Sequence, residues 1–395
     1  MSRLFLLIFI FTLSLPLWGQ NSESNEDDFR ITLLSCSPGD EIYSLFGHTA
    51  IRVQNSQTDL DLVYNYGIFD FNTDNFIWRF ALGHTDYQLG RLPYEHFVFE
   101  YRVTNRTIWE QELFLTKEEK VNLINLLEEN YLPSQRVYRY NFLYDNCATR
   151  PLEKIKEATS RELNFSDNKD YQNTFRDILH RYSENHLWCR FGMDLCLGSK
   201  ADRLITTREE SFAPIELIDY ISSAHFNNNT SLVGEKRVIL SSTPEANKGT
   251  PLLLSPLAVF AALFIFMAIL SVYQVNRRVF FNLFDLPLFG IYGLAGCILL
   301  FLVLFSEHPA MSPNYLLLVL NPLHLLFAIL LCFKGIKRIK FGYHCLNFIV
   351  LTLFICFSWV IPQKFDLAIL PLAGSLWIRS LSFSYITIKS YKLNK

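Results

Sequence analysis

Charge is distributed unevenly along this chain of 395 residues, and that split constrains its fold more than any other feature. Residues 1–250 carry 25 basic and 35 acidic side chains, whereas residues 251–395 carry 11 and 3. A soluble surface is rich in charged side chains, but a segment that crosses lipid is nearly free of them. The split predicts a water-soluble domain followed by a membrane domain. The overall net charge of −2 gives no electrostatic basis for binding nucleic acid.

The N-terminus has the pattern of a secretory signal peptide over residues 1–19. Arg3 precedes an unbroken apolar run that ends at Pro16, and a polar stretch follows the small residue Gly19. A short basic start, an apolar centre and a small residue before a polar stretch are typical of a cleaved export signal. An uncleaved anchor is the alternative, because the cleavage site lacks the usual pair of small residues. Either a signal peptide or an anchor would place residues 20–248 on the outer side of a membrane.

Five apolar runs in residues 249–395 predict a bundle of five transmembrane helices. Each run approaches the about 20 residues that cross ~30 Å of hydrocarbon. The predicted spans are 251–273, 286–305, 315–333, 341–361 and 367–386. Clusters of Lys and Arg occur at 277–278, at 334–340 and in the tail, whereas the other two connectors hold only Lys364. The positive-inside rule therefore predicts a multi-pass protein with a cytoplasmic C-terminus and with the soluble domain on the outer side of the membrane.

Polar residues within or beside these spans are costly in lipid and have two interpretations. They are His308, Asn314, Asn321, His324 and Arg379. Hydrogen bonding between packed helices is the first interpretation. The second is a polar site at the outer leaflet that holds a lipid headgroup or a substrate.

The exported region predicts an α+β domain with a mainly antiparallel sheet. Thr116 and Glu119 have the spacing of a capping box, which predicts the start of a helix. Residues 227–248 are polar and are expected to be a tether to the first span. Segments with strand patterns are 31–34, 49–53, 59–66 and 107–115, and segments with helical patterns are 152–158 and 175–182.

Two segments carry residue types suited to nucleophilic catalysis. His48 opens a predicted strand, and Cys147 precedes a predicted helix. A thiol attacks carbonyl carbon as its thiolate, and an imidazole fixed on a strand can accept the thiol proton. The imidazole needs an orienting partner, for which Asn65 is the first candidate and Asp70 the second. Either His48 or Cys147 taken singly fits a structural role as well, and Cys36 is a rival nucleophile.

The surroundings of Cys147 supply further candidates. The backbone N–H of Cys147 is the expected oxyanion donor. Pro151 allows either a helix that begins near Arg150, with the proline at its first position, or a kinked helix. Cys189 and Cys196 are candidates for a disulfide in an oxidising compartment. Side chains that are candidates for stabilising an oxyanion or binding substrate are Asn146, Arg150, Arg52 and Asp145. The chain has none of the common sequence motifs for metal or nucleotide binding, so no metal and no cofactor are predicted.

The order of these motifs resembles two known groups. Gly-His on a strand, followed downstream by Asn-Cys, resembles the circularly permuted papain-like superfamily, which includes relatives of lecithin:retinol acyltransferase and permuted NlpC/P60 proteins. The longer order of signal peptide, FGHTAIRV, YNYG, DNCATR, GMDLCLG and five apolar runs resembles the Lnb-type lipoprotein N-acyltransferases of Gram-negative bacteria. The resemblance implies a permuted papain-like thiol-hydrolase fold before the five-helix transmembrane bundle.

The same resemblance implies roles and partners. Cys147 would be the nucleophile, His48 the general base and Asn65 the orienting residue. The acyl donor would be a membrane phospholipid, and the acceptor would be a diacylated apolipoprotein. Two alternatives stay open: a periplasmic cysteine peptidase or amidase that uses the same Cys147 and His48, and a non-catalytic membrane assembly protein.

Overall fold

The computed structural model describes residues 29–69, 74–166, 172–243, 249–333 and 335–393. A sheet-rich N-terminal region is followed by a helical C-terminal region. The signal peptide expected at 1–19 and the second orienting candidate Asp70 lie outside the described residues.

The strands of the N-terminal region are mostly consecutive in the chain and antiparallel. They are β1 Phe29–Cys36, β2 His48–Asn55, β3 Leu60–Ile68, β4 Asp86–Pro93, β5 Ile108–Glu112, β6 Val137–Arg139, β7 Leu163–Asn164, β8 His225–Phe226 and β9 Arg237–Leu240. Within the described ranges, seven of them form one sheet in the order β6-β4-β3-β2-β1-β5-β9, and β7 pairs with β8. The strands predicted at 31–34, 49–53, 59–66 and 107–115 are confirmed as β1, β2, β3 and β5.

The segment expected to be a tether contributes a strand. Within 227–248, β9 pairs with β5 at the edge of the sheet, and Val238 lies opposite Trp109. The run Arg-Val-Ile-Leu in β9 has the apolar, β-branched composition that suits an edge strand. The expectation of a simple polar tether was therefore wrong for this part of it.

Helices cover both faces of the sheet. The helices of the N-terminal region are α1 Phe76–Leu82, α2 Tyr94–Val103, α3 Lys117–Tyr131, α4 Thr149–Ala158, α5 Phe175–Tyr182, α6 Leu187–Cys196, α7 Thr207–Glu210 and α8 Pro214–Ser222. Leu123 of α3, Ile155 of α4 and Leu217 of α8 share a core with Ile31 and Ile51 of the sheet. Residues of α2 pack with Leu34 and Cys36 on the opposite face. The alternation of side chains along β1 thus supplies both cores.

The capping box that opens α3 is confirmed. The Glu119 N–H donates to Thr116 Oγ1 at 3.3 Å, and the Thr116 N–H donates to a Glu119 carboxylate oxygen at 3.0 Å. These two reciprocal bonds satisfy backbone donors that the first turn of a helix leaves free. Such a signal is local, so the sequence alone was sufficient to find it.

The C-terminal region contains α9 Pro256–Arg277, α10 Asp285–Phe305, α11 Leu323–Leu331, α12 Lys337–Phe357 and α13 Ile369–Leu393. Among the described residues, α9, α10 and α12 are long and apolar enough to cross a membrane. The third predicted span, 315–333, is not one continuous helix. A 3-10 turn at Tyr315–Leu318 precedes α11, and the break falls at Asn321 and Pro322. Pro322 has no N–H to donate, and Asn321 Oδ1 instead accepts from the Leu323 N–H at 2.9 Å.

Arg379 and His324 bond to neighbouring helices. The Arg379 guanidinium is fully buried and donates to both Asp285 carboxylate oxygens at 2.7 and 2.8 Å. It also donates to Ser271 and Gln274 at 3.0 Å, so it joins α9, α10 and α13. His324 bonds to the hydroxyl of Tyr343 and, at 3.0 Å, to a backbone carbonyl. Both residues fit the helix-packing interpretation.

His308 and Asn314 join the two regions. His308 Nε2 lies 2.6 Å from the carbonyl oxygen of Phe80, and the Asn314 amide donates to the Leu195 carbonyl at 2.9 Å. Gly198 allows a close backbone approach here, because a Cβ on it would lie 2.3 Å from the carbonyl oxygen of Pro313. The polar connector 306–314 therefore docks the sheet-rich region onto the helical region.

Candidate active site

His48 stands at the start of β2 because the chain turns sharply just before it. Gly47 has φ +84°, and a Cβ on it would lie 2.6 Å from the Cys36 carbonyl oxygen. Only glycine fits that conformation and that approach. The turn sets Cys36 and His48 opposite each other in the β1–β2 register.

Asn65 of the adjacent strand contacts the His48 ring, with His48 Nε2 2.5 Å from Asn65 Oδ1. An amide oxygen only accepts hydrogen bonds, so Nε2 carries the proton and Nδ1 keeps its lone pair. Pairing between β2 and β3 ends at Ile51 and Tyr64, and the β3–β4 register shifts between Asn65 and Ile68. Beyond that point the two strands separate at the end that carries His48 and Asn65.

The Cys147 thiol lies in this opening. Backbone N–H groups of Thr49 and of Cys147 itself are directed at the sulfur. Gly67, at φ +92°, lies on the other side, since a Cβ on it would be 3.6 Å from Cys147 Cβ. Cys147 is a free, half-buried cysteine. The structure therefore brings Cys147 to the same end of β2 and β3 as His48 and Asn65.

Asn146 positions the turn that presents Cys147. Its amide nitrogen donates to the carbonyls of Phe142 and Phe212 at 2.7 and 2.9 Å. Its amide oxygen accepts from the N–H groups of Ala148 and Thr149 at 2.8 and 2.9 Å. Both ends of this buried amide are thus occupied, so in this structure Asn146 stabilises the turn. Its expected role in stabilising an oxyanion or binding substrate stays a prediction.

The helix after Cys147 begins at Thr149 and contains Pro151 in its first turn. A proline there loses no helical hydrogen bond, because the first N–H groups of a helix have no intrahelical acceptor. Of the two options that the sequence left open, a helix that begins near Arg150 is confirmed, although Pro151 is its third residue and not its first. The sulfur lies two residues before the N-terminus of α4.

Burial makes both reactive groups neutral at rest. Desolvation raises the pKa of the Cys147 thiol to about 11, although the two N–H groups directed at the sulfur oppose this rise. Desolvation also lowers the pKa of His48 to about 4, and the hydrogen bond to Asn65 opposes that fall. At pH 7 the site therefore holds a thiol and a neutral imidazole rather than a thiolate and an imidazolium.

Comparison with known families gives two matches that follow each other along the chain. A model of the Lnb N-terminal periplasmic domain matches residues 18–181, and a model of the Lnb transmembrane domain matches residues 247–391. The chain belongs to the Lnb family. It is thus a membrane-anchored protein with a periplasmic domain, and the family suggests a lipoprotein-modifying enzyme. Comparison with curated proteins and with solved structures finds no match.

Arg106 is a residue of this Lnb-family site that sequence reasoning missed. Its Nε donates to the Ser37 carbonyl at 2.8 Å, and its guanidinium lies 4.6 Å from the centre of the Tyr101 ring. Its Nη2 is buried and has no partner among the described residues. The Arg106 charge lowers the pKa of both Cys147 and His48. No motif surrounds it in the sequence, so only the fold reveals it.

Three polar candidates of the Lnb-family chain are engaged in ion pairs. Arg52 bonds to Asp61 and Glu110, and it lies four residues beyond His48 on β2, about 13 Å away along an extended strand. The structure does not bring Arg52 to the thiol, and its expected role in binding substrate stays a prediction. Asp145 and Arg150 pair with each other at 2.6 and 2.7 Å beside Cys147.

The remaining cysteines of the periplasmic region do not compete with Cys147. Cys36 is fully buried, and desolvation raises the pKa of its thiol to about 12. Cys189 and Cys196 are free and lie seven residues apart on α6. Seven residues of α-helix span about 10 Å, which exceeds the Cα separation of a disulfide. The disulfide that the sequence left as a candidate is therefore not formed.

An aromatic groove leads away from the thiol of the Lnb-family site. The Tyr140 ring lies beside Gly67 and Cys147, and the Tyr87 ring lies 4.4 Å from it between centroids. Phe69 stacks on Tyr87 at 4.9 Å. The groove beyond them is partly open to solvent and is lined by Phe69, Phe76, Arg79, Phe80, His84, Thr85, Asp86 and Tyr87.

Proposed function

We propose that this protein is a thiol-dependent lipoprotein N-acyltransferase. It moves an acyl chain from a membrane phospholipid, through a thioester on Cys147, to the N-terminal amine of a diacylated apolipoprotein. The observation that carries the proposal is the contact between His48 and Asn65 beside a sulfur that faces two backbone N–H groups. Membership of the Lnb family supports the lipid and lipoprotein partners.

The proposal includes the architecture expected from the sequence. The periplasmic domain, 20–248, has a permuted papain-like fold in which His48 precedes Cys147 in the chain. The membrane domain, 249–395, has five spans in the inner membrane, with the C-terminus in the cytoplasm. The antiparallel sheet that carries His48 and Asn65, and the helix that starts just after Cys147, support this assignment.

The first half-reaction forms the thioester. His48 Nδ1 takes the proton from the Cys147 thiol as the sulfur attacks the ester carbonyl of the phospholipid. The tetrahedral intermediate collapses when its C–O bond to glycerol breaks, and His48 returns the proton to the leaving oxygen. The products are an acyl-Cys147 thioester and a lysophospholipid. A neutral resting pair suits this route, because the imidazole must be unprotonated to act as the base.

The second half-reaction consumes the thioester. The α-amine of the lipidated N-terminal cysteine attacks the thioester carbonyl, and His48 accepts a proton from the nitrogen. The C–S bond then breaks, an amide is formed, and the sulfur recovers its proton from His48. The products are a triacylated lipoprotein and free enzyme, so atoms and charge balance over the cycle.

Backbone and guanidinium groups are available to stabilise the oxyanion of both steps. The N–H groups of Thr49 and Cys147 are directed at the sulfur, next to the carbon that it attacks. Arg106 adds a buried positive charge with an unused Nη2 donor. An unpaired donor on a buried cation is costly, and an oxyanion that develops near this Nη2 would offset that cost.

Replacement of Cys147 by Ala in a strain that relies on this protein tests the proposal. We expect mass spectrometry of lipoprotein N-termini to show diacylated chains with Cys147→Ala and triacylated chains with wild type. Cys189→Ala is the matched control, because Cys189 is also free and half-buried but lies on α6. Full N-acylation with Cys147→Ala, at wild-type membrane levels, would eliminate the proposed function.

A further inference from the structure

Helix α1 exposes apolar side chains that a water-soluble surface rarely presents. None of its residues is buried, and Ile77 and Trp78 are 83% and 58% exposed. The Trp78 ring lies 5.1 Å from the ring of Phe301 on α10, which is one of the helices suited to cross a membrane. The exposed face of α1 is therefore continuous with a surface that faces lipid.

The depth of α1 follows from the geometry of α10. Phe301 lies four residues before Phe305, the last residue of α10, which places it about 6 Å inside that end. The 21 residues of α10 span about 31 Å, close to the thickness of the hydrocarbon core. A bilayer crossed by α10 would place Trp78 at the level of the acyl chains in the proximal leaflet, meaning the leaflet on the side of the sheet-rich region. The other end of α1 lies at the membrane surface, since the Leu82 carbonyl accepts from the Glu307 N–H at 2.8 Å.

The aromatic groove described above connects this depth to the thiol. Phe76 and Phe80 of α1 line the groove at one end, and Tyr87 and Tyr140 continue its aromatic wall to Cys147. This row of aromatic rings leads from α1 toward the sulfur.

Paired basic and acidic side chains lie at the mouth of the groove. Arg79 pairs with Asp86, and Arg139 bridges Asp86 at 2.9 Å and Glu307 at 3.0 Å. Glu307 follows the end of α10, so this cluster lies at the depth of lipid headgroups. A cluster with both charges complements a headgroup that carries phosphate and ammonium.

We propose that α1 is inserted in the proximal leaflet and that the groove behind it receives one acyl chain of the donor phospholipid. The ester carbonyl of that chain then reaches Cys147 directly from the membrane. This inference rests on the proposed function and adds to it the route of the donor. The groove is occupied during the first half-reaction, before the lipoprotein acceptor binds.

Acylation of Cys147 by two donors tests the route in the full-length protein. One donor is phosphatidylethanolamine in vesicles, and the other is the water-soluble ester p-nitrophenyl acetate. We expect the double variant Ile77→Asn, Trp78→Ser to lose about tenfold or more in the rate of acyl-Cys147 formation from vesicles. Its rate with p-nitrophenyl acetate should match that of wild type. Phe99→Ser is the control, because Phe99 is 63% exposed on α2, and it should match wild type with both donors.

Two results of this assay would overturn the inference. Equal losses with both donors would mean that α1 supports the thiol itself rather than the route of the lipid. An unchanged rate with vesicles would mean that the donor reaches Cys147 by another path.

Photocrosslinking gives a readout that does not depend on acyl transfer. A phospholipid with a diazirine in its acyl chain is added to vesicles that contain the Cys147→Ala protein. We expect crosslinks to peptides that contain Trp78 and Tyr87, and competition by unlabelled phospholipid. Absence of these crosslinks, or their displacement by a diacylated lipopeptide rather than by phospholipid, would contradict the inference. If these crosslinks form but the wild-type protein never acylates Cys147, the proposed function would be wrong. The insertion of α1 in the leaflet would still be supported.

Discussion

The Nε2 atom of His48 lies 2.5 Å from Oδ1 of Asn65, on neighbouring strands whose pairing ends just before these two residues. The contact fixes the plane of the imidazole and its tautomer, which leaves Nδ1 as the basic atom. Because β2 and β3 are consecutive, the chain needs only one tight connection to bring these two residues together.

Asn65 is expected to act by positioning His48. Replacement by Ala removes the hydrogen bond and should lower the rate of acyl-Cys147 formation about 10- to 100-fold. Asn65→Asp places a carboxylate beside the ring and should raise the pKa of His48. As the pH is lowered, the variant should therefore lose activity at a higher pH than wild type does. The pH profile of the first half-reaction measures both effects. A rate and a profile that match wild type in both variants would argue against this role.

The resting thiol is expected to react slowly at neutral pH. Burial raises the pKa of Cys147 to about 11, so its alkylation by iodoacetamide should increase as the pH rises toward that value. Peptide mass spectrometry after brief exposure at several pH values measures this rate at Cys147 alone. Full reactivity at pH 5 would instead indicate a preformed thiolate–imidazolium pair.

The turn before His48 is expected to tolerate only glycine. Gly47→Ala adds a Cβ at a left-handed φ, 2.6 Å from the Cys36 carbonyl oxygen, and should lower the free energy of unfolding by about 1–3 kcal/mol or more. Gly192→Ala on α6 is the matched control, since a Cβ there has no atom within 4 Å, and it should be neutral or stabilising. Thermal unfolding in detergent compares the two. Equal melting temperatures for both variants would mean that the turn is not under this constraint.

Arg106 is expected to act in catalysis more than in stability. Arg106→Met removes a buried cation whose Nη2 has no partner among the described residues, but it also removes the hydrogen bond to Ser37 and the contact with Tyr101, so the melting temperature should change little. The rate of acyl-Cys147 formation should fall about 10²- to 10³-fold, as it does when an oxyanion donor is removed. Rates and melting curves measured on one preparation separate the two effects. A large loss of stability with no specific loss of rate would assign Arg106 a structural role.

Local signals in the sequence predicted much of the fold. The capping box at Thr116 and Glu119 depends on residues three apart, and α5 at Phe175–Tyr182 has the bounds expected from its pattern. The choice of Asn65 as the partner of His48 required only that two neighbouring strands pair. In each case the information lies within a short stretch of chain.

Long-range contacts could not be predicted in this way. Arg52 has Glu110 as a partner 58 positions away, and Arg379 pairs with Asp285 across 94 positions. The free Nη2 of Arg106 and the depth of Trp78 likewise depend on how distant segments pack. In the sequence alone, no pattern distinguishes such charged or aromatic residues from ordinary surface residues.

The state of Cys147 during turnover tests the central claim most directly. The purified protein is incubated with phospholipid vesicles but no acceptor, and the Cys147 peptide is then analysed by mass spectrometry. We expect an added acyl group that neutral hydroxylamine removes, that is absent in Cys147→Ala, and that passes to a diacylated lipopeptide with a free N-terminal amine. Formation of N-acylated lipopeptide by a protein whose Cys147 never carries an acyl group would contradict the account.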